Sequence, residues 1–380
     1  MNILLTGVDG YTGWPVALAL SRKFKKSNIV GVDNLSRRKW VKEVGSSSAI
    51  KIESIKNRLK TAKKFGFKNI KFVKGDLANS KFTENLFKKF KFDIVIHLAA
   101  QPSAPYANQN QVKAIFTQKN NNISTLNLLW SIKKFGKKNI KFITTSTTGV
   151  YGQPSFKIPE GFVNAKNGSK TDIIPFGNLG GSWYHITKSN DINNLFLANK
   201  LWNTKIIDVR TAIIYGTETN ETNLHKDLST RFDFDYYFGV VINRFCAMSV
   251  IDHNITIYGK GLLKRPFISL KDFVRSIVNL TTYKQKKTFE VFNQYTELLC
   301  IKDLGATICS AAKKKGSKSI VKIIKNPRVE KETHQMQMEN KKFLKILKSK
   351  PIKFSKEIGF TLKDLFLNKK EIIKHQKSII

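Results

Sequence analysis

Cysteine is scarce in this chain. The three residues Cys246, Cys300 and Cys309 show neither CxxC spacing nor the density of a cross-linked scaffold, which predicts reduced thiols and no structural metal. Long apolar runs are missing too, since no stretch approaches the roughly eighteen residues of a membrane helix. The first motif begins at Thr6, leaving no room for a cleaved leader, so a cytoplasmic protein is expected. Acidic residues are few, 27 against 67 basic, for a formal net charge of +40. Such a balance ordinarily points to nucleic acid or an anionic surface. Arginine, however, accounts for only ten of the basic residues, and forked recognition of phosphate favours arginine over lysine. The lysines fall in short runs such as Lys133-Lys134 and Lys313-Lys314-Lys315 on expected helix faces and ends, so we read a solvated basic surface with neither nucleic acid nor membrane as partner. Internal repeats and low-complexity segments are also absent.

What is present begins at the N-terminus. The apolar run Ile3-Leu4-Leu5 leads into Thr6-Gly7-Val8-Asp9-Gly10-Tyr11-Thr12-Gly13, a strand, a glycine turn and a helix start. Gly7 allows the tight turn, Gly10 lets backbone approach a pyrophosphate, and Gly13 permits close helix-to-strand packing, while helix amides and dipole face the phosphates. Tyr11 and Thr12 belong to the same loop. Asp33 ends the next apolar run, twenty residues after Gly13, where an acid binds the two hydroxyls of an adenosine ribose. That spacing favours NAD; Arg37 and Arg38, just beyond Asn34, leave a 2′-phosphate as the alternative.

Strand-like runs alternate with helical stretches at Ile3–Leu5, Ile29–Val32, Ile70–Val73, Ile94–Leu98, Ile140–Thr144 and Ile206–Val209, which predicts an α/β fold with a Rossmann-type, doubly wound parallel sheet. Residues 41–59 read as an insertion, a surface loop at Gly45-Ser46-Ser47-Ser48 followed by an amphipathic helix. After Gly216 the pattern turns irregular. We expect residues 1–217 with 266–296 to bind the dinucleotide, and a smaller interleaved C-terminal domain, 218–265 with 297–380, to bind substrate.

Tyr184-His185-Ile186-Thr187-Lys188 places a tyrosine and a lysine at i and i+4, on one face of a helix. A tyrosine near pKa 10 is a poor base at neutral pH, but an adjacent ammonium and a cationic nicotinamide stabilise its phenolate. Lys188 is also expected to hold the nicotinamide ribose. With the glycine motif, this pair resembles the extended short-chain dehydrogenase/reductase superfamily from Thr6 to about Asp272. The resemblance implies that Asp76 and Leu77 lie near adenine, that Leu98, Ala99 and Ala100 line the cofactor, that Asn121 is the family's structural asparagine beside the cofactor, and that Thr147 supplies a third catalytic hydroxyl.

A narrower resemblance, to the UDP-sulfoquinovose synthase family, covers almost the whole chain. It rests on Gly10-Tyr11-Thr12-Gly13-Trp14, Asp33-Asn34-Leu35-Ser36-Arg37-Arg38, Gln101-Pro102-Ser103-Ala104-Pro105-Tyr106, Tyr215–Thr222 with His225, Arg231-Phe232-Asp233, Asn243-Arg244-Phe245-Cys246 and Asn326–Glu330. It implies a UDP-hexose substrate, with Gln101, Arg244, Tyr258, Arg265 and Arg328 as contacts besides Thr147 and Tyr184. It also implies sulfite or a sulfite-donating protein as partner, a homodimer, and His185 as a proton carrier. Departures stand beside the likeness. Pro102 replaces an arginine suited to an anionic reagent, Val150 replaces a glutamate suited to eliminating the C6 hydroxyl, and Thr148-Gly149 stands where sugar 4,6-dehydratases carry an Asp-Glu pair. Arg210, ending the sixth strand, follows the broad superfamily instead. The reading is therefore an NAD-dependent enzyme working through a 4-keto sugar, on UDP-glucose plus sulfite, with a UDP-sugar 4-epimerase as alternative and a non-catalytic NAD-binding protein as the remote one.

Overall fold

Each expected strand forms in the computed structural model, which describes residues 1–152, 154–177, 179–325 and 336–379. They are β1 (Asn2–Thr6), β2 (Asn28–Asp33), β3 (Ile70–Lys74), β4 (Ile94–His97), β5 (Lys141–Thr147) and β6 (Lys205–Thr211); an edge strand, β7 (Phe289–Gln294), was not foreseen as one. All seven pair in parallel in the order β7-β6-β5-β4-β1-β2-β3. Their short continuous apolar runs suit burial on both faces. Helices Gly13–Lys23 and Leu270–Thr282 cover one face, and Ser80–Phe90, Ser124–Phe135 and Trp183–Trp202 the other. The order reverses between β1 and β4, so the loops leaving their carboxyl ends diverge and open a crevice.

A second core lies beyond that crevice. It gathers helix Val241–Val250, helix Ile301–Lys313, helix Phe354–Leu367 and the residues Ile372 and Ile379. Helix Lys341–Leu347 packs elsewhere, placing Phe343 and Ile346 against the sheet. An exposed hairpin, Phe162–Asn167 with Lys170–Pro175, interrupts the path from β5 to helix Trp183–Trp202. Among the described residues no helix is long and apolar enough to cross a membrane.

The expected surface loop at Gly45–Ser48 is corrected by the structure. Ser46 and Ala49 are buried, Ala49 N donates to Phe232 O at 2.9 Å, and Ser47 Oγ donates to Glu371 at 2.6 Å. Ser46 is buried and Ser47 and Ser48 half-buried, and the C-terminal segment and residue 232 supply their polar partners, while Gly45 stays exposed. The amphipathic helix that follows is Ile55–Lys64, capped by Ser54 Oγ accepting from Asn57 N at 3.2 Å.

Candidate active site

The crevice is a cleft of about 1250 Å³, above the roughly 300–1,000 Å³ of a pocket for one small ligand. One end is the glycine turn. Gly7 takes φ +72°, and a Cβ there would lie 2.9 Å from the Ala99 backbone; a Cβ on Gly13 would lie 1.9 Å from Gly7 O. Gly13 is therefore a packing residue behind the cleft, whereas Gly7, Gly10, Tyr11 and Thr12 line it. Thr6 Oγ1 joins the two loops, accepting from Leu98 N and Ala99 N at 3.1 Å each and meeting His97 Nδ1 at 2.8 Å. Burial lowers His97 to a pKa of about 3, so the ring is neutral. Leu98, Ala99, Ala100, Asp76 and Leu77 follow along the wall.

Asp33 and Asn34 line the far end. Asp33 accepts from Asp9 N at 2.9 Å and Leu35 N at 2.7 Å; burial raises its carboxyl above the ordinary range against those amides. Both arginines named for a 2′-phosphate are paired with carboxylates. Arg37 donates twice to Asp233 Oδ2, at 3.0 and 2.6 Å, and stacks 4.0 Å over Phe238, while Arg38 grips both oxygens of Asp9 at 2.6 and 2.9 Å. These pairs neutralise both cations and so disfavour the NADP alternative, Arg38 being forked on Asp9 and Arg37 holding Asp233 through Nε and Nη2. The glycine turn, the acid and these carboxylate-paired arginines fit NAD.

The reacting end is built on β5 and helix Trp183–Trp202. Thr147 ends β5, its Oγ1 accepting from Gly149 N at 3.1 Å. Ser182 caps the helix, Oγ accepting from His185 N at 3.2 Å, and thereby fixes the turn carrying Tyr184 and His185. Thr147, Tyr184, His185 and Lys188 all line the cleft. Lys188 Nζ donates to Thr145 O at 3.1 Å and lies 3.8 Å from Asp191, which Asn122 Nδ2 holds at 3.0 Å. Sequence reasoning missed Asp191 and Asn122, although Asp191 lies one further turn along the same helix face. Burial pushes Tyr184 well above its ordinary pKa and Asp191 pushes it further. The ammonium of Lys188 is thus matched by a carboxylate, and positive charge at the nicotinamide is what remains to favour phenolate.

His185 sits with Nδ1 2.9 Å from Ser182 Oγ, and its Nε2 occupies the space in front of Gly149, where a Cβ would lie only 2.2 Å away. Burial lowers its pKa to about 4. Val150 is fully buried in the core beside Gly177, outside the cleft lining. Pro102 does line the cleft. Arg210 does not: it is buried against Asp208 at 3.1 Å and Tyr151 at 4.8 Å.

Across the cleft from the cofactor wall, helix Val241–Val250 begins after Val240, which offers no side-chain cap, so its first amides and positive dipole end stand at the cleft with Asn243 and Arg244. Arg265 lines the cleft from strand Lys264–Ser269, and Tyr236, Tyr237 and Phe238 complete a wall the sequence did not reveal. Three expected contacts lie elsewhere. Tyr258 is on strand Ile255–Tyr258, where Ile255 and Ile257 alternate into the core and leave it facing out. Gln101 is buried, donating to Thr117 Oγ1 at 2.9 Å, and Asn121 is buried between Gln101 N at 2.8 Å and Thr187 Oγ1 at 3.0 Å. Both shape the loop behind the cofactor wall. Arg328 lies outside the described residues.

Residues 3–293 match the model of the NAD dependent epimerase/dehydratase family. The chain is 35% identical to the chloroplastic UDP-sulfoquinovose synthase of Spinacia oleracea over 91% of its own length and 71% of that protein. It is 35% identical to the UDP-sulfoquinovose synthase of Sulfolobus acidocaldarius over 90% of its length and 86% of that protein. The crystal structure of UDP-glucuronic acid 4-epimerase from Bacillus cereus, in complex with UDP-glucuronic acid and NAD, superposes with a TM-score of 0.70 at 22% identity, covering 96% of this chain and 99% of that one. With its parallel sheet, glycine turn and Thr147-Tyr184-Lys188 constellation, the chain belongs to the NAD-dependent epimerase/dehydratase family.

Proposed function

We propose that this enzyme is a UDP-sulfoquinovose synthase, replacing the C6 hydroxyl of UDP-glucose by sulfite with release of water. The observation that carries the reading beyond a simple epimerase is His185, a neutral imidazole packed into the space before Gly149 beside Thr147 and Tyr184. Bound NAD supplies the chemistry of taking hydride from C4 and returning it. Gly7, Gly10, Asp33, Asn34 and Lys188 hold that cofactor, with Asp76 and Leu77 towards adenine.

In this reading Thr147 hydrogen-bonds the 4-hydroxyl and Tyr184, as phenolate, takes its proton. The resulting ketone acidifies C5–H. His185 accepts the C5 proton, and because burial disfavours its imidazolium it passes that proton readily to the departing C6 oxygen. Water leaves; hydrogen sulfite gives its proton to the now neutral His185 and adds through sulfur at C6 of the enone, His185 hands that proton to C5, and Tyr184 gives its proton back to the 4-oxygen as the alcohol is restored. Arg244, Arg265 and the amides opening helix Val241–Val250 hold the diphosphate.

We further propose a homodimer through helices Ser124–Phe135 and Trp183–Trp202, whose outer faces leave Trp130, Leu197 and Leu201 at least half exposed. We take the cytoplasm as the compartment, although the spinach relative is chloroplastic by name; fractionation with the activity as marker separates the two. The proposal is tested by Tyr184→Phe. Loss of product by a factor on the order of 10²–10⁴, with NAD and UDP still bound, supports it, and unchanged turnover overturns it.

A further inference from the structure

The last residues of the chain return to the substrate wall. After helix Lys369–Lys374 and the turn Gln376–Ser378, Ser378 O accepts from Tyr236 N at 2.7 Å and Ile379 O accepts from Arg244 Nε at 3.1 Å. Arg244 also lies over the Tyr236 ring at 5.2 Å, and both residues line the cleft. The Ile379 side chain is buried in the second core, so the two carbonyls are presented by a docked segment.

The segment is clamped from its other side by the serine loop. Ser378 Oγ lies 3.2 Å from Ser46 Oγ, His375 Nδ1 lies 3.0 Å from Gly45 O, and Ser47 Oγ donates to Glu371 at 2.6 Å. Glu371 also faces His375 Nε2 at 3.3 Å. This accounts for covering so polar a loop in part. It is the abutment against which residues 371–379 press on the wall opposite.

We propose that residues 371–379 are a positioning strap for nucleotide-sugar binding, setting the plane of the Arg244 guanidinium and the place of Tyr236 through the carbonyls of Ile379 and Ser378. The inference rests on the reading of this cleft end as the diphosphate subsite. A guanidinium presents its donors in one rigid plane, so fixing Nε fixes where the others point. Neither carbonyl touches the glycine turn, Asp33 or the Thr147–Lys188 end. Docking of the strap is therefore coupled to the nucleotide sugar and not to NAD.

The test uses the full chain. Hydrogen–deuterium exchange over residues 371–379 is followed with UDP or NAD added, and both dissociation constants are measured for a Ser47→Ala/His375→Ala variant, whose changes lie behind the strap and away from the cleft. The strap predicts exchange slowed severalfold by UDP and unaltered by NAD. It also predicts UDP affinity weakened about tenfold, the equivalent of one hydrogen bond, with NAD affinity within twofold. Equal weakening of both ligands, or UDP affinity unchanged in the variant, overturns it. Wild-type protein that binds no UDP refutes the diphosphate reading and the strap with it; UDP binding without a response in the strap refutes the strap alone.

Discussion

Substituting Gly149 by alanine places a Cβ 2.2 Å from His185 Nε2 and 2.5 Å from its Cδ2, whereas ordinary contact begins near 3.4 Å, so the ring must retreat by about 1.2 Å. It has little room to swing, because Nδ1 is 2.9 Å from Ser182 Oγ and a Cβ placed on Gly180 would stand 2.7 Å from the His185 Cβ. Overpacking of this kind costs about 1–3 kcal/mol of stability. The larger effect is chemical, since displacing a reacting group by about 1 Å lowers a rate on the order of 100-fold. Sulfosugar formation by Gly149→Ala should therefore fall about 100-fold, with UDP and NAD dissociation constants within twofold of the wild type. Gly181→Ala is the control: it lies in the same cleft wall, and a Cβ there meets nothing within 4 Å. Equal turnover by Gly149→Ala and wild type would refute the role given to His185.

Asp191→Asn removes the carboxylate that raises Tyr184, so the acid limb of the turnover profile should move to lower pH, as measured by initial rates across pH. Arg58 is fully buried, donating to Asp9 at 2.9 Å and stacked 4.1 Å over Trp14. Arg58→Ala breaks a buried pair at about 3–5 kcal/mol. With an unfolding entropy near 2.1 cal/mol/K per residue over 380 residues, that lowers Tm by about 4–6 °C in a thermal melt. Glu160 is raised from 4.5 to about 7 by burial, opposed by the amides of Lys342 and Phe343 at 2.7 and 2.8 Å. A carboxyl raised on folding contributes stability that is full below its unfolded value of 4.5 and lost as pH rises through about 7. The urea midpoint of wild type should accordingly drop between pH 4.5 and 7.5, relative to Glu160→Gln.

The cofactor half was legible because its signals are local. Gly7, Gly10 and Asp33 act through backbone geometry and through the ends of strands that apolar runs mark directly, and the Tyr184–Lys188 pair needs only the helical period. The substrate half was less so, because its wall at Tyr236–Phe238 is shaped by chain more than a hundred residues away. Tyr258 failed for a simple reason of parity: its neighbours Ile255 and Ile257 take the core face, which turns it outward. Arg37 lines the cleft as expected, but the sequence shows only the cations of Arg37 and Arg38 and not the carboxylates of Asp233 and Asp9 that pair with them. The serine loop looked solvated by composition. Its partners, at Glu371 and Ser378, lie at the other end of the sequence.

Product analysis most directly tests the central claim that Thr147, Tyr184, Lys188 and His185 build a sulfosugar through a 4-keto intermediate. Purified protein is given NAD and UDP-glucose with and without sulfite, and the products are read by mass spectrometry together with separation of isomers of unchanged mass. The account predicts a UDP-sulfosugar formed only in the tube with sulfite. An isomer of unchanged mass in both tubes, with no sulfur incorporated, would contradict it and make the chain a 4-epimerase.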